Sequence, residues 1–398
     1  MKSNTLLTTS ISHFINDGST WYLPITFTFL IEFLGISKLM IGILGGIFFG
    51  ISALASPLIT RLADRTQRYS FMMGIGILVW GVSLIAFGLS IEADSLIAII
   101  GSVALAGFSS AFYHPLGAAM LSLEYKGSAG TALGINGSMG SLGRSLYPTI
   151  SLVLFDLFYK NIMLSSLVLG VVAIVASLPA FFLKEVKIKE EEEDPKEKNG
   201  QSNKGMLRGT MIVVIVLTVI ALLRSVFTQG ISQFLPTLLV YNYGYSYNVS
   251  LGETISIALA AAVVGQPLLG ILSDKIGRRT IFGISTAGAV VSMLLFLSFP
   301  NLVYLVVFGF FTFSAFPLML SLVGDFVPRN SAGFANSLVW GLGVTGGGVI
   351  GPIVMGIVSQ ITNLVFASYV VTIVGLLSAV LVLAIPKPPK RSKVPLFG

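Results

Sequence analysis

The 398 residues are 54% apolar and only 10% charged, with a mean hydropathy of +0.90 and a formal net charge of +7. A soluble domain carries about 25% charged residues to cover its surface, so this composition excludes a water-soluble globule. The chain has no cysteine, which excludes disulfides, thiolate nucleophiles and cysteine metal sites.

A membrane-spanning helix needs about 20 mostly apolar residues. In chain order such stretches fall at residues 8–34, 39–61, 70–90, 95–122, 129–157 and 161–183, then at 209–241, 249–273, 280–298, 302–325, 331–360 and 364–385. They predict an all-α membrane protein of twelve transmembrane helices. The first stretch is too long for a signal peptide and is followed by no small-residue cleavage site, so it is read as helix one. Of the 24 Lys and Arg, 20 fall in segments on the inner side if the N-terminus is inside, and only Lys38 and Lys160 fall in outer loops. That bias predicts a multi-pass plasma-membrane protein with both termini in the cytoplasm, and it argues against the nucleic-acid partner that a charge of +7 suggests.

Within the first helix "ISHFINDGSTWYLP", residues 11–24, sets His13 and Asp17 four apart on one face, continued by Thr20 or Trp21 and Pro24. Asp17 lies roughly 14 Å from the inner start of its helix, and His114 in "AFYHPLGAA", residues 111–119, lies at a similar depth in the fourth helix. In the fifth, Gly130, Gly134, Gly137, Gly140 and Gly143 recur every three or four residues, a spacing that lets backbones approach closely. Arg144 follows, about 22 Å up the helix but long enough to reach back toward the same layer. Away from the helix ends the deep charges are Asp17, Arg144 and Arg224. Each costs about 2.5 to 3.5 kcal/mol at the bilayer centre, so they should face a cavity or one another.

Residues 184–208 hold 14 of the 41 charged residues, including "EEEED" at 190–194, and read as a cytoplasmic linker. It separates an N-terminal six-helix bundle, 1–183, from a C-terminal one, 209–398, with a short cytoplasmic tail. The halves repeat each other. "SPLITRLADRTQR" at 56–68 matches "QPLLGILSDKIGRR" at 266–279 with a constant offset of 210, pairing Pro57 with Pro267 and Asp64 with Asp274; "GSAG" at 127–130 faces "NSAG" at 330–333. Leu23 and Pro24 correspond to Leu235 and Pro236, which puts Gln229 in the place of Asp17. Such internal repeats build alternating-access transporters, with substrate held near the midplane. In "RSVFTQGISQF", Arg224 favours an anion and Gln229 and Gln233 bind hydroxyls or carbonyls, while the plainer role for Arg224 is to cap or snorkel within the bundle. Trp21, Tyr22, Tyr113 and Trp340 offer apolar walls, and "GLGVTGGGVIGP" at 341–352 repeats the small-residue theme. "NVS" at 248–250 fits a glycosylation acceptor at Asn248, a triplet frequent by chance. Two His and one deep Asp make no recognised metal spacing, and no cofactor is expected. The missing set of nucleophile, base and orienting group argues against an enzyme, and the repeated loops argue against a receptor.

The loop "GILSDKIGRR", residues 270–279, closely resembles the signature loop of the major facilitator superfamily: Gly270, Asp274, Gly277, then Arg278 and Arg279. The copy at 57–68 keeps Asp64, Arg65 and Arg68, but Arg61 stands near the place of the first glycine and Gln67 replaces the second. Such a loop turns tightly through its glycines, its Asp facing a helix N-terminus and its Arg a carboxylate. Glu124 and Asp325, ending the fourth and tenth helices, are the natural partners in a cytoplasmic gate latch; a purely structural or orienting role is the alternative. "HFINDGSTWYLP" together with "AFYHPLGAA" resembles the fosmidomycin-resistance-type exporters of that superfamily.

The superfamily resemblance implies that the first, fourth, seventh and tenth helices line a cavity. It places His13, Asp17 and His114 on the transport path, with Asp17 as proton-binding carboxylate, Arg144 as its ion partner and a histidine as relay. The alternatives are a salt bridge that merely joins helices, and a His114 that bonds a carbonyl beside Pro115. The expected function is proton-coupled efflux of a small amphipathic or anionic molecule by a monomer in the bilayer; the alternative is a proton symporter importing an organic anion or sugar acid.

Overall fold

The computed structural model describes residues 2–125, 128–185, 208–327 and 332–387. The N-terminal half holds α1 (Lys2–Leu34), α2 (Lys38–Thr66), α3 (Tyr69–Glu92), α4 (Leu96–Tyr125), α5 (Ala129–Leu157) and α6 (Ile162–Phe182). The C-terminal half holds α7 (Arg208–Tyr243), α8 (Val249–Ile276), α9 (Arg278–Ser298) and α10 (Leu302–Phe326). It ends with a rod made of α11 (Ala332–Ser337), a π-helical segment (Leu338–Thr345) and α12 (Gly346–Ile361), then α13 (Leu364–Leu381). Among the described residues ten helices are long and apolar enough to cross a membrane. The two others of spanning length, α1 and α5, fall short in apolarity because they carry His13, Asn16, Asp17, Asn136 and Arg144. Side chains such as Leu54, Ile97, Val264 and Ile361 stand exposed on the outside, as lipid contact requires.

The helix ends divide by side. Where α2, α6, α8, α10 and α13 begin, a Ser or Asn side chain (Ser37, Asn161, Asn248, Asn301, Asn363) accepts a backbone N–H of the first turn. Asn248, the glycosylation candidate, is thus a helix cap. On the opposite side, where the linker runs, α3 begins without a cap of that kind. Its first amides at Ser70 and Phe71 donate instead to the two carboxylate oxygens of Glu185, both at 2.9 Å. Residues 186–207, most of the expected linker, lie outside the described residues, as do Gly127, Asn330 and Ser331 of the two "SAG" motifs.

Two long seams join the halves, α2 along α12 and α5 along α8. Both depend on glycine. A Cβ at Gly42 would strike the Pro352 carbonyl, and one at Gly252 the Pro148 carbonyl. The stripe in α5 works only in part: Gly140 and Gly143 meet α1, whereas Gly130 and Gly134 face open space. On the side away from the linker the halves are closed. Thr28 and Thr237 hydroxyls meet at 2.8 Å, Thr149 donates to Ser256 at 2.7 Å, and Tyr247 packs on Phe29, Phe33 and Phe155 while its hydroxyl donates to the Ile25 carbonyl.

Candidate functional site

A cavity of about 680 Å³ lies between the halves. Its wall runs down to Thr60, Arg61 and Asp64 at the end of α2, so it opens on the linker side. His13, Asp17, His114 and Arg144 line it from the N-terminal half, and Arg224, Gln229, Gln266 and Trp340 from the C-terminal half. A site of this size suits a small organic molecule.

The polar layer is built around Asp17, which is 4% exposed. α1 can press against α5 because Gly140 leaves room for the His13 ring and Gly143 for the Phe14 backbone. His13 Nε2 then lies 3.3 Å from Asp17 Oδ2, His114 Nε2 lies 3.4 Å from Oδ1, and Arg144 Nη1 lies 3.6 Å from Oδ2. The Arg144 contact is an ion pair without a hydrogen bond. Its guanidinium also bonds Ser141 Oγ at 3.1 Å and stands 5.5 Å from the Phe313 ring centre, which belongs to the other half. Three residues in this layer were not anticipated. Trp80 donates its indole N–H to Asn16 Oδ1 at 2.9 Å, Asn16 donates to Asp17 Oδ1 at 2.9 Å, and the Asn136 backbone carbonyl lies 2.8 Å from His13 Nδ1. The only signal in the sequence was Asn16 beside Asp17; Trp80 and Asn136 come from helices no spacing rule connects to it.

His13, Asp17 and His114 bring ligand atoms within 4.8 Å of one another, a closeness hidden from the sequence because His114 arrives from another helix. Arg144 already faces the same carboxylate with a permanent positive charge, which opposes a divalent ion there.

Tyr113, expected on the cavity wall, is not there. One residue before His114, it points about 100° around α4, where it is buried with its ring 4.6 Å from His13 and its hydroxyl donating to Asn136 Oδ1 at 2.8 Å. Gln233 also leaves the main cavity: with Thr20, Trp21, Gln229 and Ser232 it lines a separate space of about 20 Å³. Trp21 borders both spaces, edge to face with Phe313 at 5.8 Å. Trp340, from the π-helical segment, packs edge to face on His114 at 6.0 Å and so bridges the halves. Arg224 donates to the Thr312 carbonyl at 2.6 Å, while its buried Nε has no hydrogen-bond partner among the described residues. It both braces α10 and borders the cavity.

The ion pairs expected of the two loops form in the second copy only, among the described residues. Arg278 bonds Asp325 at 2.6 Å and lies 3.6 Å from Asp274. Arg279 donates to the Leu383 carbonyl. Gly277, at φ +112°, makes the turn that leads into α9, whereas Gly270 faces open space and is not needed for tightness. In the first copy Gln67 takes the left-handed conformation in place of glycine, at φ 55°, its side chain donating to the Asp64 carbonyl. Arg68 leaves helical geometry and sits over Phe71, Asp64 accepts from Tyr69, and Arg65 is exposed. Among the described residues no ion pair joins Glu124 to Arg65 or Arg68.

The chain is 24% identical over 372 residues to the fosmidomycin resistance protein of Escherichia coli (strain K12), covering 89% of this chain and 86% of that one. In solved structures it is similar to a bacterial homolog of the human lysosomal transporter Spinster in an inward-facing, unoccupied conformation, with TM-score 0.78 at 16% identity and 96% of each chain covered. It is similar also to the nucleoside transporter NupG, with TM-score 0.69 at 15% identity, covering 96% of this chain and 98% of that one. The family model of the Major Facilitator Superfamily matches residues 9–339 and again 247–398. The chain therefore belongs to the Major Facilitator Superfamily, whose members are membrane transporters and not enzymes.

Proposed function

We propose that this protein is a proton-coupled exporter of a small amphipathic or anionic molecule, working by alternating access in the plasma membrane. In this reading twelve helices form two six-helix halves, 1–183 and 209–398, with both termini and the 184–208 linker in the cytoplasm, and the monomer is the working unit. The observation that carries it is the cavity between the halves, with a carboxylate ringed by titratable and basic groups on one wall and Arg224 with Gln229 on the other. A carboxylate there exchanges a proton between the two sides, and Arg224 attracts an anion that aromatic Trp21 and Trp340 flank. The name of the Escherichia coli relative, a resistance protein, favours export. The Arg278–Asp325 pair holds α9 to α10 at the cytoplasmic mouth and acts as half of a gate.

Purified protein in liposomes with an imposed pH gradient tests the coupling. Wild type is expected to move substrate against its gradient, and Asp17→Asn to exchange substrate but ignore the pH gradient. Full gradient-driven transport by Asp17→Asn would remove Asp17 as the coupling site. The presence of Arg144 and Arg224 on one cavity also fits a second reading, a symporter importing an organic anion or sugar acid. Direction decides between them: accumulation driven by an acidic opposite compartment means exchange, and accumulation driven by acid on the substrate side means symport.

A further inference from the structure

Resting on that proton-coupled reading, we propose that the proton is held between His13 Nε2 and Asp17 Oδ2, and that Trp80, Asn16 and Asn136 are positioning residues that close the other places it could occupy.

Around the carboxylate some atoms can only donate and others can only accept. An indole N–H only donates. Trp80 Nε1 lies 2.9 Å from the Asn16 side chain, so the Asn16 atom facing it is the amide oxygen, and the NH₂ must turn to Asp17. That NH₂ donates to Asp17 Oδ1 at 2.9 Å, which keeps Oδ1 an acceptor. On the other partner, the Asn136 backbone carbonyl only accepts. It lies 2.8 Å from His13 Nδ1, so Nδ1 carries a hydrogen in every protonation state. When the ring is neutral its lone pair is therefore on Nε2, the atom facing Asp17 Oδ2 at 3.3 Å. Without a proton two lone pairs would oppose each other in a buried site; with one, the contact is an imidazolium against a carboxylate or an imidazole against a carboxylic acid. One proton satisfies both atoms.

The charged and titratable groups facing this pair are His114 from α4, 3.4 Å from Oδ1; Tyr113, also from α4, its ring tilted against His13 at 4.6 Å; and Arg144 from α5, 3.6 Å from Oδ2. Arg224 borders the same cavity from the other half. Arg144 Nη1 approaches the same oxygen as the proton does, so a shift of its side chain that shortened the 3.6 Å contact would compete with the proton. Gly140 is part of the seat, since a Cβ there would occupy the place of the His13 ring.

The chain has only two histidines, which makes the test direct. Protein labelled with ¹⁵N-histidine in nanodiscs gives two sets of ring signals, and His114→Gln assigns His13. From about pH 5 to about 9, which brackets histidine's ordinary range, His13 Nδ1 is expected to keep its hydrogen, held by the Asn136 carbonyl. Asp17→Asn is expected to remove the Nε2 proton at neutral pH and leave Nδ1–H. Trp80→Phe frees Asn16 to turn its oxygen toward Asp17, so the pair should hold its proton to a pH higher by about one unit, the size of one charge-assisted hydrogen bond. A neutral His13 carrying its hydrogen on Nε2, or an Nε2 signal that Asp17→Asn leaves unchanged at neutral pH, overturns the proposal. Should the variants fail to fold, correlation of each ring with its sequentially assigned backbone identifies His13 in the wild type, where Nδ1–H must persist throughout. A correct tautomer with transport indifferent to the pH gradient would remove the proton-coupled function and leave the seat standing.

Discussion

Arg224 is a half-buried cation that donates to a carbonyl, the Thr312 oxygen, with no carboxylate paired to it among the described residues. A substrate anion is the natural counter-charge, and a charge-assisted bond is worth about 1.5–3 kcal/mol. Arg224→Gln is therefore expected to weaken binding of a phosphonate or carboxylate ligand by about 10- to 100-fold, read by titration calorimetry, and to spare a neutral ligand of the same shape. Equal loss for both would make Arg224 a brace for α10 and no more. At this scale the sequence was informative about charge and blind to partnership. Asp17, Arg144 and Arg224 announce themselves because a charge in a spanning helix is costly, whereas Trp80 reads as one more apolar residue until its indole is seen on Asn16. Tyr113 was misplaced for a related reason: its neighbour His114 is on the cavity, and one residue along a helix is a turn of about 100° away from it.

The glycines of α5 separate spacing from contact. All five recur at the interval that permits close packing, yet Gly140 lies under the His13 ring while Gly134 has nothing within 4 Å of its Cβ position. Gly140→Ala is expected to cost about 1–3 kcal/mol by overpacking and to displace His13, abolishing pH-gradient-driven transport. Gly134→Ala should stabilise by about 0.5–1 kcal/mol, because the helix gains a better former and meets no clash. Thermal unfolding in detergent measures both, and a Gly140→Ala protein as stable as Gly134→Ala would contradict the packing account. Helix existence was legible throughout from apolar runs. What was not legible is where a helix departs from regularity. The eleventh stretch reads as one span, yet Leu338–Thr345 winds as a π-helix, a form concentrated at functional sites, and carries Trp340 to the cavity. Likewise the acidic run gave no hint that Glu185 would reach the amides at the start of α3, because a linker's composition reports its solvation and not its docking points.

For the whole molecule the repeat was the most informative feature: a constant offset of 210 and a matched Leu-Pro predict two halves of like shape, and α2 packs along α12 and α5 along α8. The offset says nothing about which end of the cavity is open. That is decided by contacts across the halves, and on the side away from the linker the hydroxyl of Tyr247 reaches the Ile25 carbonyl at 3.0 Å inside a cluster of Phe29, Phe33 and Phe155. If that closure holds the cavity open toward the linker, removing one of its bonds must raise the population open on the other side. Tyr247→Phe keeps the ring and deletes the bond, a loss of about 1 kcal/mol, or about a fivefold change in the ratio of the two states. The absence of cysteine provides a silent background for the measurement. A single cysteine at cavity-lining Ser56→Cys, labelled by a polar maleimide from the linker side, is expected to react more slowly when Tyr247→Phe is added. An unchanged rate would mean that the seams, and not the aromatic closure, set the resting conformation.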